Sequence, residues 1–188
     1  GQSLKTPAPS PSSTIKQDFA LSSIEIAYSR PAVKGRTIFG DLVPFGKVWR
    51  TGANNATTIT FGEDVTINGT KIKAGKYGLL TIPRENNWTI IVTKQVDVTS
   101  PAAYKIEQDV VRVDAPVTEL PFSVENFTIM PGNINSGSCE VWIMWDKTFV
   151  ALPISVDVDT QVMQQIDRAM NNDNRPYFSA CLLYTSDA

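Results

Sequence analysis

Between Thr14 and Val156 the chain is cut into short alternating or β-branched segments by turn residues, roughly every 8–12 positions, and that punctuation confines it to an antiparallel all-β fold. Strands are expected at Ile15–Ala20 and Ile24–Tyr28. In the second, Ile24, Ile26 and Tyr28 alternate with Glu25 and Ala27, as on a half-buried strand. Thr57–Phe61 is rich in β-branched residues. Asn68-Gly69 joins Val65–Ile67 to Thr70–Ile72, because this pair supplies the positive φ angles of a type I′ turn. Tyr77–Ile82, Trp88–Thr93, Asp109–Val113 and Phe122–Ile129 continue the series. Ser138–Trp145 and Phe149–Val156 read as a last pair turning at Asp146-Lys147-Thr148. About ten such strands predict a β-sandwich over residues 13–157.

Outside that region the pattern changes. Residues 1–12 are rich in Pro and Ser and read as a flexible segment following a removed signal peptide. Asp159 to Met170 reads as a helix, with Asp159 as N-cap and Val162, Ile166, Ala169 and Met170 on one face. Residues 158–180 are expected to open a helical extension, with a second helix starting at Tyr177. Cys181 to Ala188 reads as a translated transposase-adapter end and is set aside from the fold.

Histidine is absent. That removes a Ser-His-Asp triad, a Cys-His pair and any His-based zinc or iron site. With Cys181 set aside, Cys139 has no partner, so neither a disulfide nor a metal site is expected. No cofactor is expected either. Net charge is −2, which gives no basis for nucleic-acid binding. No stretch approaches the ~20 apolar residues of a membrane helix. Cys139 reads as a buried inert thiol. Glu63-Asp64 and the Glu107/Asp109 pair read as solvated turn charges rather than as paired catalytic carboxylates.

The charge is unevenly placed: residues 1–60 hold seven Lys and Arg against three Asp and Glu. Most of it falls in a loop between strands, where Arg30, Lys34, Arg36, Lys47 and Arg50 face one acid, Asp41. Ile38, Phe39, Leu42, Val43, Phe45, Val48 and Trp49 make this loop too apolar to lie free in water, so it is expected to pack on one end of the sandwich. Two readings of its cations compete. Arg30, Lys34, Arg36 and Arg50, with Tyr28 and Asn54, form an anion site, since the guanidinium fork suits carboxylate or phosphate. Alternatively, the arginines pair with acids such as Asp41 and clamp the loop. Of Trp49, Trp88, Trp142 and Trp145, Trp49 is the candidate stacking platform for a glycan. Trp142 and Trp145 point to opposite faces of a regular strand, which makes at least one of them core.

The run Tyr28-Ser29-Arg30-Pro31, Lys34-Gly35-Arg36-Thr37-Ile38-Phe39-Gly40 and Leu42 to Asn54 resembles the signature of a bacterial family catalogued as domain of unknown function 2911. Ala74-Gly75-Lys76-Tyr77, Trp88-Thr89-Ile90-Ile91 and Trp145-Asp146-Lys147 are similar to its later motifs. The resemblance implies an exported protein of the Bacteroidota, periplasmic or in the cell envelope. It also implies continuation past Asn174–Phe178 into paired helices like tetratricopeptide repeats. It supplies no catalytic residues. The expected function is a non-catalytic binding module with an anionic or glycan ligand at Tyr28, Arg30, Lys34, Arg36, Trp49, Arg50 and Asn54. The alternatives are a cofactor-free hydrolase or isomerase acting on a sugar or small anion, and a structural module that meets a protein partner through the helical extension.

Overall fold

A computed structural model describes residues 3–172; the expected second helix from Tyr177, the Asn174–Phe178 segment and the Cys181–Ala188 tail lie outside the described residues. The strands are β1 (Ser12–Phe19), β2 (Ser22–Ser29), β3 (Thr58–Phe61), β4 (Val65–Ile67), β5 (Thr70–Ile72), β6 (Gly75–Ile82), β7 (Asn87–Thr93), β8 (Asp109–Pro116), β9 (Thr118–Gly132) and β10 (Ser138–Ser155). They form two antiparallel sheets, a six-stranded one in the order β1-β2-β3-β6-β7-β8 and a four-stranded one in the order β5-β4-β10-β9. This is a β-sandwich, as the alternation implies. Residues up to Val156 form one compact unit, and a helix α1 (Val158–Asn171) belongs to a second. No helix among the described residues is long and apolar enough to cross a membrane.

Register explains where the core lies. Ile26 pairs with Ile59, Ile59 with Tyr77, and Leu79 with Val92, so these side chains share one face of the six-stranded sheet. On β10, Val141, Ile143 and Trp145, then Val150, Leu152 and Ile154, are the buried alternate residues. Asn68 and Gly69 have φ of 48° and 76°, the geometry that the β4–β5 turn requires.

The six-stranded sheet also carries a second apolar layer. Leu80, Ile82 and Ile91 project opposite to Leu79, Ile90 and Val92, and they too are buried. They form a cluster with Val98, against which Val48 and Tyr104 pack. Val48 comes from the basic loop. Val98 and Tyr104 come from the strap after β7, which contains short 3-10 turns at Pro101–Ala103 and Ile106–Gln108. Two irregular segments therefore cover one outer patch of β6 and β7.

Some boundaries differ from expectation. β10 is one continuous strand where a hairpin at Asp146-Lys147-Thr148 was expected. Asp146 does adopt a left-handed φ of 51°, but the extra residues lie on β9, whose pairing shifts register on both sides of Asp146. Ser123 donates to Asp146 at 2.8 Å and holds that bulge. The turn chemistry thus bends the strand pair without reversing β10, and β9 extends well beyond Phe122–Ile129. The N-cap of α1 is Asp157, not Asp159. Its carboxylate accepts from the Thr160 amide at 3.1 Å and the Thr160 hydroxyl at 2.7 Å, and Asp159 sits in the first turn. Ile166 is buried, whereas Met170 is exposed.

The close fit of the strap is testable at Gly78 on β6. A Cβ there would lie 2.0 Å from the Gln95 carbonyl oxygen, a backbone atom. Gly78→Ala should destabilise the protein by about 1–3 kcal/mol through overpacking, read as a lower unfolding midpoint. An unchanged midpoint would show that the strap does not press on the sheet.

Candidate functional site

The basic loop is hydrogen-bonded to both sheets. Near its start it runs beside β9: Val33 N–H donates to the Glu125 carbonyl at 2.9 Å, and Phe127 N–H donates to that of Pro31 at 2.8 Å. Near its end it runs beside β6, where β3 no longer pairs. Trp49 and Thr81 exchange two backbone hydrogen bonds, of 2.7 and 3.1 Å, and Gly46 N–H donates to the Pro83 carbonyl at 2.8 Å. Between these anchors Ile38 and Val43 are buried, and Gly40 and Val43 close a tight turn through a 2.9 Å bond. Leu42 and Phe45 stay exposed. The loop is thus packed on the sandwich as its apolar content implies, and those two large side chains are left over.

An aromatic cluster fills the space under the loop. Phe39 and Trp49 from the loop meet Trp88 of β7, Phe127 of β9 and Trp145 of β10. Trp49 stacks on Trp145, with centroids 5.9 Å apart and planes 12° from parallel. Trp88 and Trp145 are core. Both Trp49 and Trp145 spend their indole N–H on carbonyls, those of Gly52 and Glu125. What Trp49 can offer a ligand is therefore ring surface alone. Trp142, half-buried, donates to Glu140 at 2.7 Å and packs edge-on to Phe149, away from this cluster.

The arginines clamp backbone rather than acids. Arg30 donates from Nε to the Phe127 carbonyl at 3.0 Å and from Nη2 to the Thr128 hydroxyl at 2.9 Å. Arg36 donates from Nε to the Val33 carbonyl at 3.0 Å and from Nη2 to that of Ala32 at 2.5 Å. Among the described residues Arg50 donates from Nη1 alone, to the Thr99 carbonyl of the strap at 2.8 Å. Asp41 joins none of these contacts. Among the described residues the ion pairs are Lys73–Asp64 and Arg112–Asp109, both elsewhere. Arg30 and Arg36 have thus filled their side-on Nε–Nη2 edge, which can grip a planar anion, and among the described residues Arg50 keeps its own open.

A cleft of about 400 Å³ opens between the loop and the strap. Arg36, Lys47 and Arg50 contribute to its lining, and among the described residues no Asp or Glu does. Leu42, Val43, Pro44, Val48, Trp49 and Trp145 give it apolar walls, and Thr99 and Pro101 close the strap side. Gly52, also in the lining, has φ of 150°, and a Cβ there would lie 3.1 Å from the Ser29 carbonyl oxygen. Its neighbour Thr51 holds a left-handed φ of 59° although β-branched. The hydroxyls of Thr51 and Thr81 lie 3.0 Å apart, and the Thr57 hydroxyl donates to the Thr51 carbonyl at 2.6 Å, so hydrogen bonds hold that strained corner.

Of the residues expected to form a site, the cleft gathers Arg36, Trp49 and Arg50. Tyr28 is buried edge-on against Phe127, and Arg30 is committed to β9. Lys34 lies at the first turn, its amide donating to the Glu125 carboxylate at 3.0 Å. Asn54 donates to the Ser10 carbonyl at 3.3 Å, and Arg30 N–H to that of Pro11, so the end of the N-terminal segment is pinned to the loop. Lys47 belongs to the basic run but carries no local feature that sets it apart there. Thr99, Pro101 and Trp145 carry no local signal of a site, since only the fold brings them to the cleft.

The other candidate groups lie elsewhere. Cys139 is buried, and burial pushes its thiol up to about 11, as suits an inert thiol. Asp64 caps a turn by accepting from Ala74 N–H at 2.9 Å. Asp109 is not the solvated charge its sequence context suggests. Its side chain is 7% exposed, Tyr104 donates to it, and its second oxygen lacks a hydrogen-bond partner among the described residues. Desolvation raises its pKa, opposed by the Tyr104 bond and Arg112. Among the described residues no three His, Cys, Asp or Glu side chains gather as metal ligands would.

A sandwich whose basic loop joins both sheets and walls a cationic cleft is the class of domain that this geometry defines. The family described as "Protein of unknown function (DUF2911)" matches residues 10–154, and the chain belongs to that family. No curated protein and no solved structure matches the chain.

The clamp and the cleft separate by mutation. Arg30→Ala should cost about 1–3 kcal/mol, because it leaves the buried Phe127 carbonyl without its donor. Lys47→Ala should stay within about 0.5 kcal/mol of the parent, since its exposed ammonium has no partner to lose among the described residues. Equal midpoints for the two variants in urea unfolding would contradict this division.

Proposed function

We propose that the protein is a non-catalytic binding module of the bacterial cell envelope, and that it takes a small organic anion in the cleft at Arg36, Lys47 and Arg50. The observation that carries this reading is that, among the described residues, three cations and no carboxylate line one cleft with apolar walls. Such walls lower the local dielectric and strengthen the attraction for an anion. The strained corner at Thr51 supports a ligand site, because strain of this kind clusters where a fold presents a site. An anion is favoured over a neutral glycan, since Trp49 stacks on Trp145 and both indole N–H groups are spent. Binding is favoured over hydrolysis or isomerisation, because the described lining of the cleft offers neither a histidine nor a carboxylate as base. The envelope enters this proposal through the family resemblance of the Tyr28 to Asn54 signature. The amphipathic α1 is placed in the same proposal as the start of a helical extension suited to a protein partner.

A thermal-shift titration of the whole chain with organic anions and neutral sugars tests the reading. Anions should raise the unfolding midpoint, less so as salt rises, and Lys47→Ala combined with Arg50→Lys should abolish the shift. Stabilisation by a neutral sugar that survives these substitutions would overturn it.

A further inference from the structure

The three arginines of the loop differ in what their neighbours leave free, and that difference names a ligand class. In arginine, Nε and Nη2 form the side-on edge whose two parallel N–H groups match the two oxygens of a carboxylate. In Arg30 and Arg36 both atoms of that edge are already donated, to Phe127 and Thr128 and to Val33 and Ala32. In Arg50 the edge has no partner among the described residues. The Thr99 carbonyl instead holds the opposite corner, Nη1. Arg50 is half-buried, lines the cleft, and is tied to the strap before any ligand arrives. A guanidinium held this way loses little freedom on binding. Lys47, exposed on the same cleft, supplies a second positive charge without a fixed direction.

We infer that Arg50 is the anchoring residue of the cleft, and that its ligand is a carboxylic acid carried on a flat apolar body. The inference rests on the anion-cleft reading above and narrows it. Among the cleft's arginines, Arg50 offers the open side-on edge, and one such edge accommodates one planar carboxylate. The body follows from the walls, where Leu42, Val43, Pro44, Val48 and the Trp49 ring offer surface but few hydrogen-bond donors. A phosphate monoester would bring a second negative charge into the same apolar walls and lose more hydration there. A small hydrophilic anion would leave the walls unused.

The test is calorimetric titration of the full chain with indole-3-acetate, acetate, phenyl phosphate and neutral indole-3-ethanol. Indole-3-acetate should bind at least about tenfold more tightly than each of the other three, and Arg50→Lys should weaken it at least about tenfold. Arg50→Lys keeps the charge and a donor for Thr99 and removes only the fork. In the unsubstituted protein, indole-3-acetate should slow phenylglyoxal modification of Arg50, read by peptide mass spectrometry, and leave Arg30 unaffected. This second readout stands if the variant folds poorly. Tighter binding of phenyl phosphate, or full binding by Arg50→Lys with no protection of Arg50, would overturn the carboxylate assignment and leave the anion cleft standing. Absence of binding by every anion, or equal binding of the neutral alcohol, would overturn both.

Discussion

Two backbone pairings hold this structure in its functional form: Pro31–Val33 against Glu125–Phe127 on one sheet, and Gly46–Trp49 against Thr81–Pro83 on the other. A sandwich needs only its inner faces to cohere. Here a loop is also hydrogen-bonded to the edge strand β9 of one sheet and to the stretch of β6 that β3 leaves unpaired in the other, and the chain between those anchors cannot drift from the end of the sandwich. The aromatic cluster depends on this. Phe39 and Trp49 reach Trp88, Phe127 and Trp145 only because the loop is fastened at both ends. The cluster in turn supplies much of the apolar burial that offsets the entropy of ordering so long a loop.

The cleft follows from the same constraint. The anchored loop and the strap over Leu80, Ile82 and Ile91 stand side by side, with Val48, Val98 and Tyr104 in one apolar cluster beneath them. The bond from Arg50 to Thr99 joins their rims. Gly and Pro at the loop and its anchors then have specific tasks. Gly52 allows close approach to Ser29, and Pro31 and Pro83 end strand pairing while still offering carbonyls as acceptors. Residues of one chemical type take different roles along one loop. Arg30 and Arg36 serve the backbone, and Lys47 and Arg50 line the cleft.

The sequence made the all-β architecture, the Asn68-Gly69 hairpin and the packing of the loop legible, because each rests on local periodicity, turn chemistry or apolar content. It misled at Asp146-Lys147-Thr148. Those residues have turn chemistry, and one of them does take a turn conformation, but whether a turn reverses a strand or bulges it depends on the partner strand. The site was half legible. Basic residues and Trp49 marked the loop, but charge alone could not tell a clamped arginine from an open one, since the acceptors are carbonyls such as those of Phe127 and Thr99, which any residue supplies. Asp109 shows the same limit, because its burial comes from Tyr104 and the strap rather than from its neighbours in the chain.

The double anchoring of the loop is the central claim, and amide hydrogen exchange resolved to Val33, Val43, Gly46, Trp49, Thr81 and Phe127 tests it most directly. The account predicts that these amides are protected to a degree comparable with the central strands β6 and β7, because each donates to a carbonyl within the anchored loop or across to a sheet. Exchange of Val33, Gly46 and Trp49 at the rate of an open chain, with β6 and β7 still protected, would contradict it, and the cleft would lose its fixed wall.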